Sequence, residues 1–191
     1  MQTGQTAFLQ QFLRRPRQVA ALAPSSPGLG EMMARQLPAQ ARRVAELGPG
    51  TGVFTRCMID RGIAERDLVL FEINPLFAEG LAIRFPQATL HRLPAQDLAR
   101  VEEAPFDAVL SGLPLLSMSA DEQAAILSSA FSRLGPDGVF IQFTYGPKSP
   151  LRERVEKGLG LSFTRTRRVW ANLPPATVYV FRRPRLRAPA Q

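Results

Sequence analysis

The residues from Glu46 to Gly52, together with Glu72, carry the clearest chemistry in this sequence. The segment Glu46-Leu-Gly-Pro-Gly-Thr-Gly52 follows an apolar run and precedes a helical pattern. Its glycines let a ligand approach the backbone, and a helix that begins there offers free N–H groups. An acid just before the glycines repels a pyrophosphate and suits a cationic amino-acid ligand. Glu72 lies 20 residues beyond Gly52, the separation at which a carboxylate binds ribose hydroxyls in α/β folds.

The segment fits neither of the common phosphate-binding patterns. Its third glycine comes one residue too early for GxGxxG, and no lysine follows for a phosphate loop. We therefore expect a ligand that combines a cationic amino acid with a ribose. The alternative is a glycine turn followed by an unrelated acid.

Alternating strand-like and helix-like segments surround this loop. The pattern predicts strands at 43–47, 68–71, 88–93, 106–111 and 139–145, with a glycine-proline turn at 135–138. Helices are predicted to begin after Ser26, near Thr51, at Pro75 and after the capping box that starts at Ser119. Two later strands, at 161–170 and 177–181, predict an antiparallel hairpin at the sheet edge. This order implies an α/β fold with a mostly parallel sheet of seven strands.

The charge is divided along the 191 residues, which carry a net charge of +8. Residues 1–43 contain six basic residues and one acidic residue. Residues 44–147 contain seven basic and thirteen acidic residues, and residues 148–191 contain eleven basic and two acidic residues. The acidic centre suits a cationic ligand, and the basic ends suit nucleic acid or an anionic membrane. One cysteine and one histidine exclude an internal disulfide and a site built from several cysteines or histidines. No apolar run is long enough to span a bilayer, and no signal peptide opens the sequence.

The first 23 residues predict an amphipathic helix beside a basic flank. Apolar residues recur there at helical spacing, namely Phe8, Leu9, Phe12, Leu13 and Val19, next to Arg14, Arg15 and Arg17. Such a helix can lie in a membrane interface. The alternative is an ordinary helix that packs its apolar face on the domain. We divide the chain into a docking helix (1–23), a catalytic domain (24–183) and a basic tail (184–191).

The loop, its flanking elements and Glu72 resemble motif I of the class I S-adenosylmethionine-dependent methyltransferases, which have a Rossmann-like fold. The resemblance implies S-adenosylmethionine as cofactor and S-adenosylhomocysteine as product. It places Glu46 near the methionine moiety, Glu72 on the ribose, and Asp97, with Gln96 as the second candidate, on the adenine amino group. The alternative for Asp97 is a solvated acid in a turn. The residues assigned to the cofactor are Glu46, Gly48, Gly50, Thr51, Gly52, Glu72, Ile73, Gln96, Asp97 and Ser111.

The residues after the fourth strand bear on the substrate. Methyltransferases of this kind that act on nucleobases usually carry an Asn or Asp, a proline and then an aromatic residue there. This sequence has Ser111 in the polar position and Leu115-Leu116 after Pro114. A flipped base would lack its stacking partner. This difference disfavours adenine and favours an apolar substrate that is not planar.

Several segments resemble the bacterial phospholipid N-methyltransferases, the soluble type that methylates phosphatidylethanolamine. They are 12–16 with 24–26, 113–117, 141–150 and 169–176, of which Phe143-Thr-Tyr-Gly-Pro-Lys-Ser-Pro150 is the most specific. The resemblance implies up to three methylations, ending at phosphatidylcholine. It also implies a monomeric cytoplasmic protein bound peripherally to the inner face of the cytoplasmic membrane, through an N-terminal helix on anionic lipid, and no nucleic-acid partner.

Tyr145 is our candidate for the residue that faces the lipid amine. Its hydroxyl can accept from the ammonium, and its ring can contact the methylated cation; the alternative is a core tyrosine. Lys148, Arg15 and Arg17 are candidates for the lipid phosphate. Trp170 and Asn172 are assigned to the substrate entrance, and Trp170 fits the core equally well.

Two other functions stay open at this point. One is an rRNA adenine N6-dimethyltransferase, which shares the fold and the basic charge. The other is a non-catalytic membrane- or RNA-binding domain that has kept the fold. The complete set of Glu46, the three glycines and Glu72 argues against the second alternative.

Overall fold

A computed structural model describes residues 26–101, 104–168 and 174–184. Those residues form one sheet of seven strands, in the order β3-β2-β1-β4-β5-β7-β6. The strands are β1 (Val44–Leu47), β2 (Leu68–Phe71), β3 (Thr89–His91), β4 (Phe106–Ser111), β5 (Leu134–Thr144), β6 (Ser162–Arg165) and β7 (Thr177–Arg182). The helices are α1 (Pro27–Ala34), α2 (Val53–Asp60), α3 (Pro75–Arg84), α4 (Ala120–Arg133) and α5 (Glu153–Gly158). Short 3₁₀ turns lie at Glu65–Asp67, Ala95–Arg100 and Leu115–Ser117.

The strand directions confirm the predicted fold class. β3, β2, β1, β4 and β5 pair in parallel, whereas β7 runs antiparallel to both β5 and β6. Because parallel strands end at the same edge, the loops after β1, β2 and β4 meet at one side of the sheet.

Local sequence explains where the helices begin. The Ser26 hydroxyl accepts a hydrogen bond from the Leu29 N–H ahead of α1, and the Asn74 side chain accepts one from Leu76 ahead of α3. The predicted capping box before α4 is confirmed: Ser119 Oγ accepts from the Glu122 N–H at 3.2 Å, and Glu122 Oε2 accepts from the Ser119 N–H at 2.7 Å.

Both faces of the sheet are covered by apolar side chains. Leu29 and Met33 of α1 and Met58 of α2 pack on one face, and Ile126 and Leu127 of α4 pack on the other. All four residues of β1 are buried, as expected for a central parallel strand between two helical layers. Two helical layers therefore hold the carboxyl edge of the sheet in place.

Two expectations about the later strands were wrong in detail. β5 starts at Leu134 beside Phe106 rather than at Val139, and the predicted turn at 135–138 lies inside it, where the register shifts between Phe106 and Ala108 of β4. The backbone still turns there, because a Cβ on Gly138 would lie only 2.9 Å from Leu134 Cβ and 3.0 Å from the Gly135 carbonyl oxygen. The sixth strand ends at Arg165 rather than continuing through residue 168.

The predicted docking helix and most of the predicted basic tail lie outside the described residues. Within the described ranges, no helix has the length and apolar character needed to cross a membrane.

Candidate active site

A cavity of about 500 Å³ lies at the carboxyl edge of the sheet. The loops that follow β1, β2 and β4, the residues after β3, and the start of α4 surround it. Its lining consists of Gly48, Phe71, Glu72, Ile73, Leu93, Pro94, Ala95, Gln96, Leu113, Met118, Asp121, Glu122, Ala125 and Ile126. Three of these residues are acidic and none is basic, so the cavity favours a cationic ligand.

The glycine loop after β1 lies very close to the backbone of the segment that follows β4. Gly48 has a φ of +67°, and a Cβ on it would lie 2.7 Å from Leu113 Cδ2. A Cβ on Gly112 would lie 2.6 Å from the Gly48 carbonyl oxygen. By contrast, a Cβ on Gly50 would meet no atom within 4 Å. The loop is thus packed against the segment after β4 and leaves open space beside Gly50. Thr51 and Gly52, which the sequence also assigned to the cofactor, line a separate groove and not this cavity.

Glu46 lies in β1 with no exposed surface. The Thr55 hydroxyl donates to its Oε2 at 2.6 Å, and its Oε1 has no hydrogen-bond partner among the described residues. Burial raises the pKa of Glu46 to about 8, against the lowering effect of the Thr55 bond, and nearby Glu72 raises it further. A buried carboxyl with one unused oxygen is a favourable acceptor for a cationic donor.

Glu72 follows β2 and binds the backbone of the glycine loop through its carboxylate. Its Oε2 accepts from the Gly50 N–H at 3.0 Å, and its Oε1 accepts from the Asn74 N–H at 2.8 Å. The side chain is almost buried and lines the cavity. Since each carboxylate oxygen can accept a second hydrogen bond, Glu72 retains acceptor capacity toward hydroxyl groups of a ligand.

The two candidates for the adenine contact are placed differently. Gln96 and Ile73 line the cavity, and Ile73 is 67% exposed. Asp97 does not line the cavity. Its Oδ1 forms an ion pair with Arg100 Nε at 3.2 Å. The geometry therefore gives Gln96 better access than Asp97, the residue that the sequence favoured.

Ser111 ends β4 and is completely buried. Its Oγ accepts from the Leu113 N–H at 3.3 Å, so it shapes the turn beneath the cavity. Leu115, after Pro114, is buried, and Leu116 is half exposed. No aromatic side chain occurs between residues 112 and 118, which are all described.

Tyr145 and Lys148 lie just beyond β5. The Tyr145 ring packs edge-on against Phe143 at 5.3 Å between centroids, and Phe143 packs edge-on against Phe54, the second residue of α2, at 5.7 Å. Tyr145 is half-buried and does not line the cavity, whereas Lys148 is exposed. Arg15, Arg17, Trp170 and Asn172 lie outside the described residues.

Three buried polar residues near the site were missed by sequence reasoning. Thr55 is the partner of Glu46. Gln142 Nε2 donates to the Leu113 carbonyl at 3.0 Å, and its Oε1 has no partner among the described residues. Gln123 Nε2 donates to the carbonyls of Leu115 and Pro150, which joins the segments after β4 and after β5. Of these three residues, only Thr55 could have been identified from the sequence, because it lies near the start of the helix that follows the glycine loop.

The chain was compared with known proteins. It is 34% identical over 150 residues to the ornithine lipid N-methyltransferase of Singulisphaera acidiphila, across 73% of this chain and 77% of that protein. No protein-family model matches.

Solved structures share the fold at low sequence identity. A TehB-like S-adenosylmethionine-dependent methyltransferase from Corynebacterium glutamicum superposes with a TM-score of 0.65 at 16% identity, over 94% of this chain and 100% of that one. A glycopeptide N-methyltransferase complexed with S-adenosylmethionine also gives a TM-score of 0.65, at 13% identity, over 85% of this chain and 88% of that one.

Proposed function

Because the chain belongs to the bacterial lipid N-methyltransferases, S-adenosylmethionine-dependent enzymes of the class I fold, we propose that it methylates the amine of a membrane lipid headgroup. The 34% identity to the ornithine lipid enzyme over most of both chains carries this proposal. The acidic lining of the cavity at the carboxyl edge supports it, because both the cofactor and the lipid amine are cationic.

The residues of the site fit this cofactor. Glu46 offers a buried carboxyl oxygen that has no hydrogen-bond partner among the described residues, and in its ionised form this group suits the amino group of the methionine moiety. Glu72 retains acceptor capacity for the ribose, and Ile73 and Gln96 line the cavity where the adenine would lie. The cofactor would supply a methyl group bound to a positively charged sulfur. The amine lone pair would attack the methyl carbon opposite the sulfur, so that the N–C bond forms as the C–S bond breaks and S-adenosylhomocysteine leaves.

The protein's own contribution is to position the amine and to help it lose a proton. A lipid ammonium has no lone pair and must be deprotonated before it can attack. We assign Tyr145 to the amine, because its hydroxyl can accept a hydrogen bond from the ammonium and its ring can contact the methylated product. The position of Tyr145 directly after β5 supports this assignment, because β5 is parallel to β4 and therefore ends at the same edge of the sheet as the cavity.

Phosphatidylethanolamine, with its mono- and dimethyl products on the way to phosphatidylcholine, is our proposed substrate. The resemblance of residues 143–150 to the phospholipid enzymes supports it, and exposed Lys148 suits a headgroup phosphate. Ornithine lipid is the second candidate, since the curated relative acts on it. That headgroup bears an amine and a carboxylate and lacks a phosphate.

The proposed location is a membrane surface, with residues 1–23 as a docking helix and Arg15 and Arg17 near the lipid phosphates. Trp170 and Asn172 stay assigned to the substrate entrance, and the monomeric state stays a prediction. The absence of an aromatic residue after Pro114 argues against an RNA base as substrate.

The proposal is tested with S-adenosylmethionine labelled on its methyl group. Vesicles containing phosphatidylethanolamine, vesicles containing ornithine lipid, and ribosomal RNA are supplied separately. We expect label in a lipid and none in RNA. Label in phosphatidylethanolamine alone supports the first substrate, and label in ornithine lipid alone supports the second.

A further inference from the structure

Helix α3 and the two residues before it expose more large apolar side chains than any other described part of the chain. Among the described residues, five large apolar side chains are mostly or substantially exposed, and three of them are Ile73, Leu76 and Ile83. Leu76 is 77% exposed and Ile83 is 81% exposed. These two residues are seven positions apart and therefore lie on the same face of the helix. Exposed apolar side chains gathered on one face indicate a contact with another apolar phase.

This apolar face is continuous with the rim of the active-site cavity. Ile73 lines the cavity and lies three residues before Leu76. Whatever covers Leu76 and Ile83 therefore also lies beside the mouth of the cavity. A lipid substrate would enter through that mouth from a bilayer.

A basic groove of about 600 Å³ adjoins the other end of α3. It runs between α1, α2 and the end of α3, and it carries Arg35, Arg56, Arg61 and Arg84 with the acids Glu31 and Asp60. The excess of two positive charges contrasts with the acidic lining of the cofactor cavity. The groove therefore attracts anions, whereas the cavity attracts cations.

Two of the groove arginines are available to an anion. Arg35 pairs with Glu31 at 3.5 Å, and Arg84 donates to the Thr51 carbonyl at 2.6 Å. Arg56 stacks on the Phe85 ring at 5.2 Å and forms no ion pair among the described residues. Arg61 likewise has no ion-pair partner there, and both side chains are exposed. Guanidinium groups bind phosphate oxygens with two parallel hydrogen bonds, which suits them to phosphate-bearing headgroups.

We propose that the apolar face of α3 and the adjoining arginine groove form a membrane-contact surface that docks the enzyme on an anionic phospholipid bilayer. Leu76 and Ile83 enter the interface, while Arg56 and Arg61 bind lipid phosphates. The charge of the groove selects an anionic bilayer over an apolar protein partner. This inference rests on the proposed function, because a lipid substrate requires the cavity to face a membrane. The surface is additional to residues 1–23, and Pro27, which lines the groove, comes four positions after that segment in the sequence.

The test compares vesicle binding of the full chain and three double variants. Leu76→Ser with Ile83→Ser removes the apolar contact, and Arg56→Gln with Arg61→Gln removes the free charges. Arg42→Gln with Arg66→Gln is the control, since it removes the same charge from exposed positions outside the groove. Binding is measured by sedimentation with vesicles of phosphatidylcholine alone and with added phosphatidylglycerol. Cofactor affinity of each variant reports whether it is folded.

The expected results differ between the variants. The groove variant should bind anionic vesicles about 25-fold more weakly, from roughly a factor of five for each arginine near an anionic surface. Its defect should disappear at 1 M salt, where the Debye length is about 3 Å. The apolar variant should bind both kinds of vesicle about tenfold or more weakly. The control should bind nearly as well as the original chain.

Three results would overturn the proposal. A groove variant that binds like the control would show that total charge, rather than the groove, drives docking. An apolar variant that changes a dimer into a monomer and keeps its vesicle binding would make this face an interface between two copies. Binding of RNA, but not of vesicles, through the groove arginines would assign the groove to nucleic acid.

The proposed function is checked separately, with lipid dispersed in detergent micelles. Folded variants that lose vesicle binding should still methylate micellar lipid, since their cofactor cavity is unchanged. If the original chain methylates no lipid in micelles, the proposed function fails. If it methylates lipid and the variants dock normally, only the membrane-contact surface fails.

Discussion

Replacing Glu46 by glutamine is expected to stabilise the cofactor-free protein and to weaken its binding of S-adenosylmethionine. The amide has nearly the same shape and can still accept the hydrogen bond from Thr55. It cannot ionise, so the variant isolates the effect of burying a titratable carboxyl. Opposite changes in stability and in cofactor binding would indicate a residue retained for function at a cost in stability.

The sign and size of the stability change follow from the pKa of Glu46, which burial raises from 4.5 to about 8. Between these two values the folded protein keeps a proton that the unfolded chain has lost. Its free energy of unfolding therefore falls as the pH rises, by about 1.4 kcal/mol for each pH unit. The accumulated cost is about 3 kcal/mol at pH 7 and about 5 kcal/mol above pH 8. Below pH 4.5 the effect disappears.

The assay is urea unfolding of both proteins, without cofactor, at pH 5, 6, 7 and 8. The difference in unfolding free energy should grow in favour of the glutamine variant by about 3.5 kcal/mol from pH 5 to pH 8. Glu79→Gln, which removes an exposed carboxylate on α3, controls for the loss of charge. A Glu46→Gln difference that stays constant over this range would refute the reasoning, because it would mean that Glu46 titrates alike in the folded and unfolded chains.

Cofactor binding supplies the second half of this prediction. A cationic ligand beside Glu46 favours its ionised form, so binding at pH 7 should release protons and should strengthen as the pH rises to about 8. Calorimetry in two buffers of different ionisation enthalpy measures that release. The glutamine variant should bind the cofactor more weakly by about 1.5–3 kcal/mol and release no such protons. Equal proton release by both proteins would remove Glu46 from the cofactor site.

Three further predictions concern the cofactor, the amine and the membrane. Glu72→Ala should weaken cofactor binding by about 1.5–3 kcal/mol in calorimetry, because it removes a charged acceptor that also holds the Gly50 N–H; unchanged affinity would remove Glu72 from the site. Tyr145→Phe should lower kcat for lipid about tenfold and leave the cofactor Kd unaltered, since only the hydroxyl is lost; an unaltered kcat would make Tyr145 a core residue. Deleting residues 1–23 should strongly reduce sedimentation with anionic vesicles and largely preserve cofactor affinity; undiminished sedimentation would exclude this segment as an anchor.

Local sequence predicted the elements whose signals are local. The boundaries of β4, the capping box of α4 and the proline at the start of α3 follow from residues within a few positions of each other. Glu46 and Glu72 were recognised because the first lies just before the glycine loop and the second lies 20 residues beyond Gly52. The turn at 135–138 follows from its own residues, but the pairing of Leu134 with Phe106, which moves the start of β5 ahead of that turn, depends on the partner strand β4.

Other parts of the site depend on contacts between distant residues. Gln142 bonds to the Leu113 carbonyl 29 positions away, and Gln123 bonds to the Pro150 carbonyl 27 positions away. Neither glutamine has a sequence pattern that reveals its partner. The choice between Gln96 and Asp97 depends on the rotation of one 3₁₀ turn, and adjacent residues on such a turn point in different directions.

The most direct test of lipid N-methylation is to follow the labelled methyl group into chemically identified products. The full chain is incubated with labelled S-adenosylmethionine and mixed vesicles of phosphatidylethanolamine and ornithine lipid, with ribosomal RNA as a competitor. We predict label on the headgroup nitrogen of a lipid, and loss of this label with Glu72→Ala at limiting cofactor. Label in the RNA alone, or no label in either lipid by a chain that binds the cofactor, would contradict the account.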